Sequence, residues 1–141
     1  MMNYADDLAI ITVLVTHLGT CKLKSKSAHQ LAVDLTLYLE EVKRVLKFYP
    51  ELFVVVGNSR KFEGEKTYTL HLRYALRWSN NEGEGGEDER PIDAEHLCAL
   101  LGYIGNRVSN EVALKRQIAT NYITISCAFI ATLAAILSAF N

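Results

Sequence analysis

The last stretch of the chain constrains its architecture most, because residues 118–140 contain no charged side chain. These twenty-three residues match the roughly 20 apolar residues that a helix needs to cross a bilayer. Lys115 and Arg116 directly precede the run, and the positive-inside rule would then place everything upstream in the cytoplasm. The pattern predicts a single C-terminal transmembrane helix of the tail-anchor kind, with Lys115 and Arg116 as its membrane-flanking residues.

The two faces of this predicted helix differ in side-chain size. On a helical projection the small residues share one face and the bulky residues share the other. Small residues allow two membrane helices to approach closely, which predicts self-association through Thr124, Ala128, Ala131, Ala135 and Ala139. The alternative is an oligomerisation helix in water, since alanine and threonine dilute the hydrophobicity of the run. Both interpretations predict a homo-oligomer.

Charge and cysteine content exclude several classes of protein. Residues 1–78 hold eleven Lys or Arg against eight Asp or Glu, net +3, and residues 79–141 hold four against eight, net −4. The surplus of +3 falls short of the basic stripe of a typical nucleic-acid-binding domain. The three cysteines lie far apart and form neither a metal-binding pair nor a disulfide framework. Acidic residues rather than basic ones precede the first apolar run, so no signal peptide is expected.

The first 78 residues predict a small domain of mixed helix and strand. Helical periodicity, capping residues and strand alternation predict the order helix, short strand, helix, turn, helix and two-stranded hairpin. The helices are expected over residues 4–19, from Ser27 to Leu35 and over 39–49, and the hairpin strands over 52–56 and 67–76.

This order resembles the winged-helix superfamily, which contains a helix-turn-helix, over residues 4–78. The segments that carry the resemblance are HQLAVDL, LEEVKRVLKFYPELFVVV and KTYTLHLRY. The resemblance implies an α+β fold, a winged-helix domain over residues 1–78. It leaves the function open, because the superfamily includes transcription regulators and modules that bind only protein.

Two further segments precede the C-terminal run. Residues 79–90, SNNEGEGGEDER, lack apolar side chains and predict a flexible acidic linker, so that the winged-helix domain moves independently. Residues 91–117 predict a helical stem with one apolar stripe. The stripe lacks an evident partner in so short a chain, so we expect it to serve oligomerisation through Leu97, Leu101, Ile104 and Val108. Residues 118–140 then form the transmembrane or oligomerisation helix.

Catalytic chemistry is not indicated by any motif. The four histidines fall on separate predicted elements without metal-ligand spacing, and the glycines near residue 85 lack the context of a phosphate loop. The sequence therefore predicts a protein that is not an enzyme and that binds no metal or other cofactor.

The predicted recognition helix and wing tip carry charges of both signs. Glu40 and Glu41 occupy the helix start, where a DNA reader would approach base edges and phosphates. Cations follow along the helix and at the wing tip: Lys43, Arg44, Lys47, Arg60 and Lys61. A mixed-sign surface suits a protein partner better than a polyanion.

The functional prediction is a membrane-anchored, non-enzymatic adaptor or regulator whose winged helix binds another protein. The first alternative is a membrane-tethered DNA-binding regulator that uses the same cations on phosphates. A third hypothesis, an effector of a bacterial stress or defence system whose membrane helices cluster when triggered, rests on the two-faced tail alone.

Overall fold

The computed structural model describes residues 3–23, 25–59, 62, 64–79 and 91–139, and its side chains are described except at 76–79 and 133–139. The segment 80–90, which contains most of the predicted acidic linker, lies outside the described residues. The elements in chain order are α1 Tyr4–Thr20, β1 Lys26–Ser27, α2 Ala28–Leu35, α3 Leu39–Phe48, β2 Phe53–Asn58, β3 Lys66–Leu70, α4 His71–Ser79 and α5 Ala94–Ala139.

Local sequence signals fix the ends of the short helices. The Ser27 hydroxyl accepts a hydrogen bond from the Gln30 amide (3.2 Å), and the Gln30 side chain accepts one from the Ser27 amide (3.0 Å). This reciprocal capping box starts α2. The helix ends at Thr36, whose φ of 55° is left-handed and lets the chain turn toward α3. α3 buries the stripe Val42, Val45 and Leu46, as expected of an amphipathic helix.

The three strands form one antiparallel sheet in the order β1-β3-β2. β2 and β3 are a hairpin in which Val55 lies opposite Tyr68, with a register shift between Val55 and Gly57. β1 pairs with the other edge of β3, where Lys26 lies opposite Tyr68. The hairpin is closed at its base by the His71 amide, which donates to the Leu52 carbonyl (2.8 Å).

A single hydrophobic core joins the helices to the sheet. Helix α1 contributes the fully buried Ile11, Leu14, Val15 and Leu18, and residues from α2, α3 and β3 pack around them. The apolar character of α1 extends beyond one stripe, so a sheet and two short helices cannot cover it. The first turns of α5 supply the remaining layer.

The start of α5 packs antiparallel to α1. At one end the Ile92 amide donates to the Gly19 carbonyl (2.9 Å), and at the other the Ala5 amide donates to Glu111 Oε2 (3.2 Å). Between them Ile104 is only 1% exposed and joins the core. The Glu111 carboxylate lies at the N-terminus of α1, where negative charge is favourable.

The predicted oligomerisation stripe of the stem is therefore corrected. Leu97, Leu101, Ile104 and Val108 pack within the chain's own core and are not available to a second copy. The physical reason is that α1 offers them apolar surface in the same chain. The expectation that the N-terminal part moves independently of residues 91–110 is wrong for the same reason.

The predicted second hairpin strand over residues 67–76 is also too long. β3 ends at Leu70 and α4 begins at His71. The turn into α4 buries Arg73, whose guanidinium donates from Nη1 to the carbonyls of Leu18 (2.9 Å) and Cys21 (3.0 Å). These bonds satisfy carbonyls at the end of α1, which alternation along one strand could not reveal.

The membrane prediction is contradicted. Within the described part of the chain, no helix combines the length and the apolar character needed to cross a bilayer. Hydroxyl and amide side chains, such as Thr120, Asn121, Thr124 and Ser126, recur along the charge-free run and lower its hydropathy. The tail anchor, the transmembrane helix and the single-pass localisation are therefore corrected, and Lys115 and Arg116 have no membrane boundary to flank.

Candidate functional site

The exposed face of α3 begins with carboxylates and continues with cations. Glu40 and Glu41 lie in its first turn, where they complement the helix dipole, and Lys43 is 3.3 Å from Glu40. Lys47 is exposed in the last turn and forms no ion pair within the described residues. Arg60 and Lys61, the other predicted contact residues, lie outside the part that the structure describes.

Arg44, predicted to contact a partner or a nucleic acid, instead binds a carboxylate in the same chain. Its Nη1 and Nη2 donate to the two oxygens of Asp7 at 3.1 and 2.6 Å. The Asp7 side chain is 7% exposed, and the Tyr49 hydroxyl donates to it at 2.8 Å. A guanidinium held in this bidentate geometry joins α3 to α1 and is withdrawn from external contacts.

The pKa values of this cluster follow from burial and hydrogen bonding. Burial alone would raise the pKa of Asp7, but the hydrogen bonds from Arg44 and Tyr49 outweigh it and the pKa is lowered. Burial and the bond to Asp7 raise the pKa of the Tyr49 hydroxyl. Tyr4 packs edge-on against Tyr49, with ring centroids 4.6 Å apart, and donates to Glu51. The cluster is a structural joint in which each polar group has a partner.

A second polar cluster ties β1 to its neighbouring helices. Lys26 is buried, and its Nζ lies 2.5 Å from Asp34 Oδ2 and 2.8 Å from His17 Nε2. The hydrogen bond from Lys26 is the main cause that lowers the pKa of Asp34. These contacts account for the ionisable groups at this place by structure alone.

A cleft of about 560 Å³ lies between α3 and the β2–β3 hairpin, here called the α3–hairpin cleft. Leu46 and Phe53, both buried in the core, form its floor. Val55, which is 47% exposed, and Tyr68 form its sheet side. Residues of α3 spaced three and four apart form the other side because they share one helix face. The cleft is therefore an apolar depression bounded by secondary structure on two sides.

Charged residues surround this apolar floor. Lys43 and Lys47 come from α3, and Lys66 comes from β3. Glu65 is the acidic lining residue, and its Oε2 is buried without a hydrogen-bond partner among the described residues. Of the predicted contact residues, Lys43 and Lys47 thus meet at one site, together with Glu65, Lys66 and Tyr68, which the sequence reasoning missed. Only the hairpin register, which sets Tyr68 opposite Val55, could have indicated them.

A second surface is the part of α5 that continues past α1. Every residue from Ala113 to Thr132 is exposed, and the helix extends to Ala139. At 1.5 Å per residue, the projecting segment 113–139 is about 40 Å long. Four bulky side chains on it are largely exposed: Ile118 (55%), Tyr122 (70%), Ile125 (67%) and Phe129 (66%). Contiguous apolar exposure of this size is typical of an interaction surface.

The hydroxyl side chains of the projecting segment bond to their own helix. Thr120 donates to the Arg116 carbonyl (3.0 Å), Thr124 to Thr120 (2.9 Å) and Ser126 to Tyr122 (2.9 Å). Because these groups are already satisfied four residues back, water is not needed to solvate them. The segment can therefore be covered by another apolar surface at little polar cost.

Metal-binding clusters are not found in the described ranges, where no group of three His, Cys, Asp or Glu side chains could hold an ion. Cys21, Cys98 and Cys127 are free thiols. Whether the chain is an enzyme is not decided by these observations.

Comparison with known proteins adds no relative. No protein-family model, curated protein or solved structure matches the chain. The resemblance to the winged-helix superfamily over residues 4–78 is therefore corrected, since no relative supports it. The architecture that stands is a mixed one: helices, a small three-stranded sheet and a long C-terminal helix.

Proposed function

We propose that this chain is a non-enzymatic adaptor that self-associates through the projecting segment of α5 and presents its helix-and-sheet body to a partner protein. The observation that carries the proposal is the exposed stripe Ile118, Tyr122, Ile125 and Phe129 on a helix that lies beyond its own core. The occupant that we propose for the stripe is a second copy of the chain.

The bulky face forms the seam in this proposal. At 100° per residue the four stripe residues fall within an arc of about 60°. In water, association is driven by burying large apolar side chains, whereas close approach through small residues matters chiefly between helices in lipid. The small face that the sequence suggested, with Thr124, Ala128 and Ala131 exposed and the side chains of Ala135 and Ala139 outside the described set, is set aside for this reason.

The seam continues an interface that already exists. The alternating spacing of four and three residues that runs Leu97, Leu101, Ile104 and Val108 along α1 is resumed at Ile118. Glu111 and Lys115 occupy the two intervening positions, where α1 ends. A second helix can therefore pack on α5 in the same manner as α1 does, one step further along.

An antiparallel arrangement suits the charges. The spacing of 118, 122, 125 and 129 reads the same in both directions, so a two-fold pair sets Ile118 against Phe129 of the second copy and Tyr122 against Ile125. Parallel helices would bring Lys115 and Arg116 of the two copies together. Antiparallel helices place those cations beside the C-terminal half of the other helix, where positive charge is favourable.

The expected affinity is moderate. Full burial of such a side chain contributes about 1.5–3 kcal/mol, so covering the exposed fractions contributes about 1–2 kcal/mol each. Eight side chains in a dimer then contribute roughly 8–16 kcal/mol, against an association cost on the order of 4–15 kcal/mol. We therefore expect dissociation at concentrations on the order of micromolar rather than an irreversible dimer.

Light scattering on the full chain across this concentration range tests the proposal. Ile125→Glu should leave a monomer, because it places a charge in the seam. Ile123→Glu is the matched control, since Ile123 is similarly exposed (64%) but points about 160° away around the helix. A wild-type chain that is monomeric throughout, or equal loss of mass in both variants, would contradict the seam and leave the stripe to a partner of different sequence.

A further inference from the structure

We infer that the α3–hairpin cleft binds an acidic peptide segment of a partner protein, with one apolar side chain of that segment inserted between α3 and the hairpin. The inference rests on the adaptor role proposed above and names the chemistry of the partner. It concerns a surface separate from the α5 seam, so the two can fail independently.

The floor of the cleft indicates the apolar anchor. Leu46 and Phe53 are buried by the protein core beneath them, whereas Val55 and Tyr68 retain exposed surface above it. A volume of about 560 Å³ exceeds that of one large side chain and accommodates its flanking backbone as well. Peptide grooves of this kind take an anchor residue and read its neighbours at the rim.

The rim indicates the charge of the flanking residues. Lys43, Lys47 and Lys66 surround the floor, and of these only Lys43 is shared with a carboxylate in the described residues, at 3.3 Å from Glu40. Three cations around an apolar floor complement carboxylates on either side of an apolar side chain. A neutral or basic segment would leave this charge unmatched.

Glu65 distinguishes a peptide from a phosphate backbone. Its buried Oε2 has no donor among the described residues, and a buried acceptor without a donor is costly. A peptide supplies backbone N–H groups that can satisfy this oxygen. A phosphodiester backbone supplies no donor and is repelled by the carboxylate, so the cleft favours a peptide over DNA.

The test measures fluorescence anisotropy of a labelled probe with the full-length chain. The probe is a short peptide in which a central Leu-Phe pair is flanked by glutamates on both sides. We expect saturable binding that weakens as salt rises. Replacing the glutamates by glutamine, or the central pair by alanine, should each weaken binding at least about tenfold, since either change removes one of the two complementary features. No saturable binding at low salt would overturn the inference.

Surface variants locate the binding. Lys47→Glu and Lys66→Glu should each weaken binding about tenfold, whereas Lys22→Glu, the same charge change on an exposed residue remote from the cleft lining, should have less than about a twofold effect. Val55→Glu, at a half-exposed strand position, should abolish binding while circular dichroism remains unchanged. Equal effects of Lys22→Glu and Lys47→Glu would overturn the assignment.

Two further readings separate the outcomes. A DNA duplex that displaces the peptide and loses affinity steeply with salt would overturn the peptide assignment in favour of a polyanion. Light scattering on the same samples reports self-association separately, so loss of the dimer with intact peptide binding contradicts only the seam. Loss of peptide binding with an intact dimer contradicts only the cleft.

Discussion

Replacing Arg44 by methionine tests whether this residue is structural rather than a surface contact. Methionine keeps the length and helix propensity of the side chain while removing its charge and its hydrogen bonds. The Asp7 carboxylate, 7% exposed, would then retain only the bond from Tyr49. We expect the folded state to lose stability at neutral pH.

The magnitude follows from the geometry. Removing one partner of a buried ion pair costs about 3–5 kcal/mol, because the other charge remains buried. The Arg44 side chain is 44% exposed, so water screens the pair and the lower end applies. We expect a loss of about 2–3 kcal/mol, which corresponds to a urea midpoint lower by roughly 1–1.5 M for a typical m-value near 2 kcal/mol/M.

Urea unfolding at a fixed protein concentration measures this loss. Lys47→Met is the matched control on the same helix, and it should change stability by less than about 0.5 kcal/mol because Lys47 is exposed. The loss in Arg44→Met should shrink as the pH falls toward the pKa of Asp7, since a protonated Asp7 no longer needs the guanidinium. Equal stabilities of the two variants, or a loss that does not change with pH, would refute the structural role.

Other consequences of the fold can be measured in the same way. The lowered pKa values of Asp7 and Asp34 stabilise the fold above the ordinary aspartate pKa, and this stability should be lost as the pH falls through their folded-state values, so urea midpoints should drop between neutral pH and about pH 3. Ile104→Ala should cost about 2–5 kcal/mol in the same assay if α5 completes the core, whereas a freely moving stem would tolerate it. Gly19→Val should cost roughly 1–3 kcal/mol because a Cβ at Gly19 would already lie 3.1 Å from a Leu97 side-chain carbon. Gly105→Ala, where a Cβ meets no atom within 4 Å, should be neutral or stabilising by up to about 1 kcal/mol, and the opposite ranking of the two glycines would contradict the packing of α1 on α5.

Local signals in the sequence were sufficient for the short helices. Ser27 followed three residues later by Gln30 indicates a capping box, and Pro50 indicates the end of α3, because each acts through bonds to adjacent backbone. The apolar stripe of the stem was recognised, but its partner was not. Nothing local to Leu97 or Ile104 distinguishes packing on α1 from packing on a second copy, since both would bury the same stripe.

Contacts between distant residues were out of reach of pattern reasoning. Arg44 reads as a surface cation because its partner Asp7 lies 37 residues away. Likewise, Lys66 joins Lys43 and Lys47 at the cleft only through the pairing of the hairpin and its packing on α3. The charge-free run was misinterpreted because absence of charge was weighed above the hydroxyl groups along it, which α5 satisfies within its own backbone.

The central claim, that two chains pair antiparallel through the projecting segment of α5, is tested most directly by distances between spin labels. Labels are attached to single cysteines introduced at Ala113 or Gln117 in a chain whose native cysteines are replaced. In the proposed pair the two copies of position 117 are offset by about 20 Å along the helix axis, and those of position 113 by about 32 Å. We predict an intermolecular distance that is about 10 Å longer at 113 than at 117. Equal distances at the two positions would indicate parallel helices, and the absence of any intermolecular distance at concentrations above the expected dissociation constant would contradict self-association through this helix.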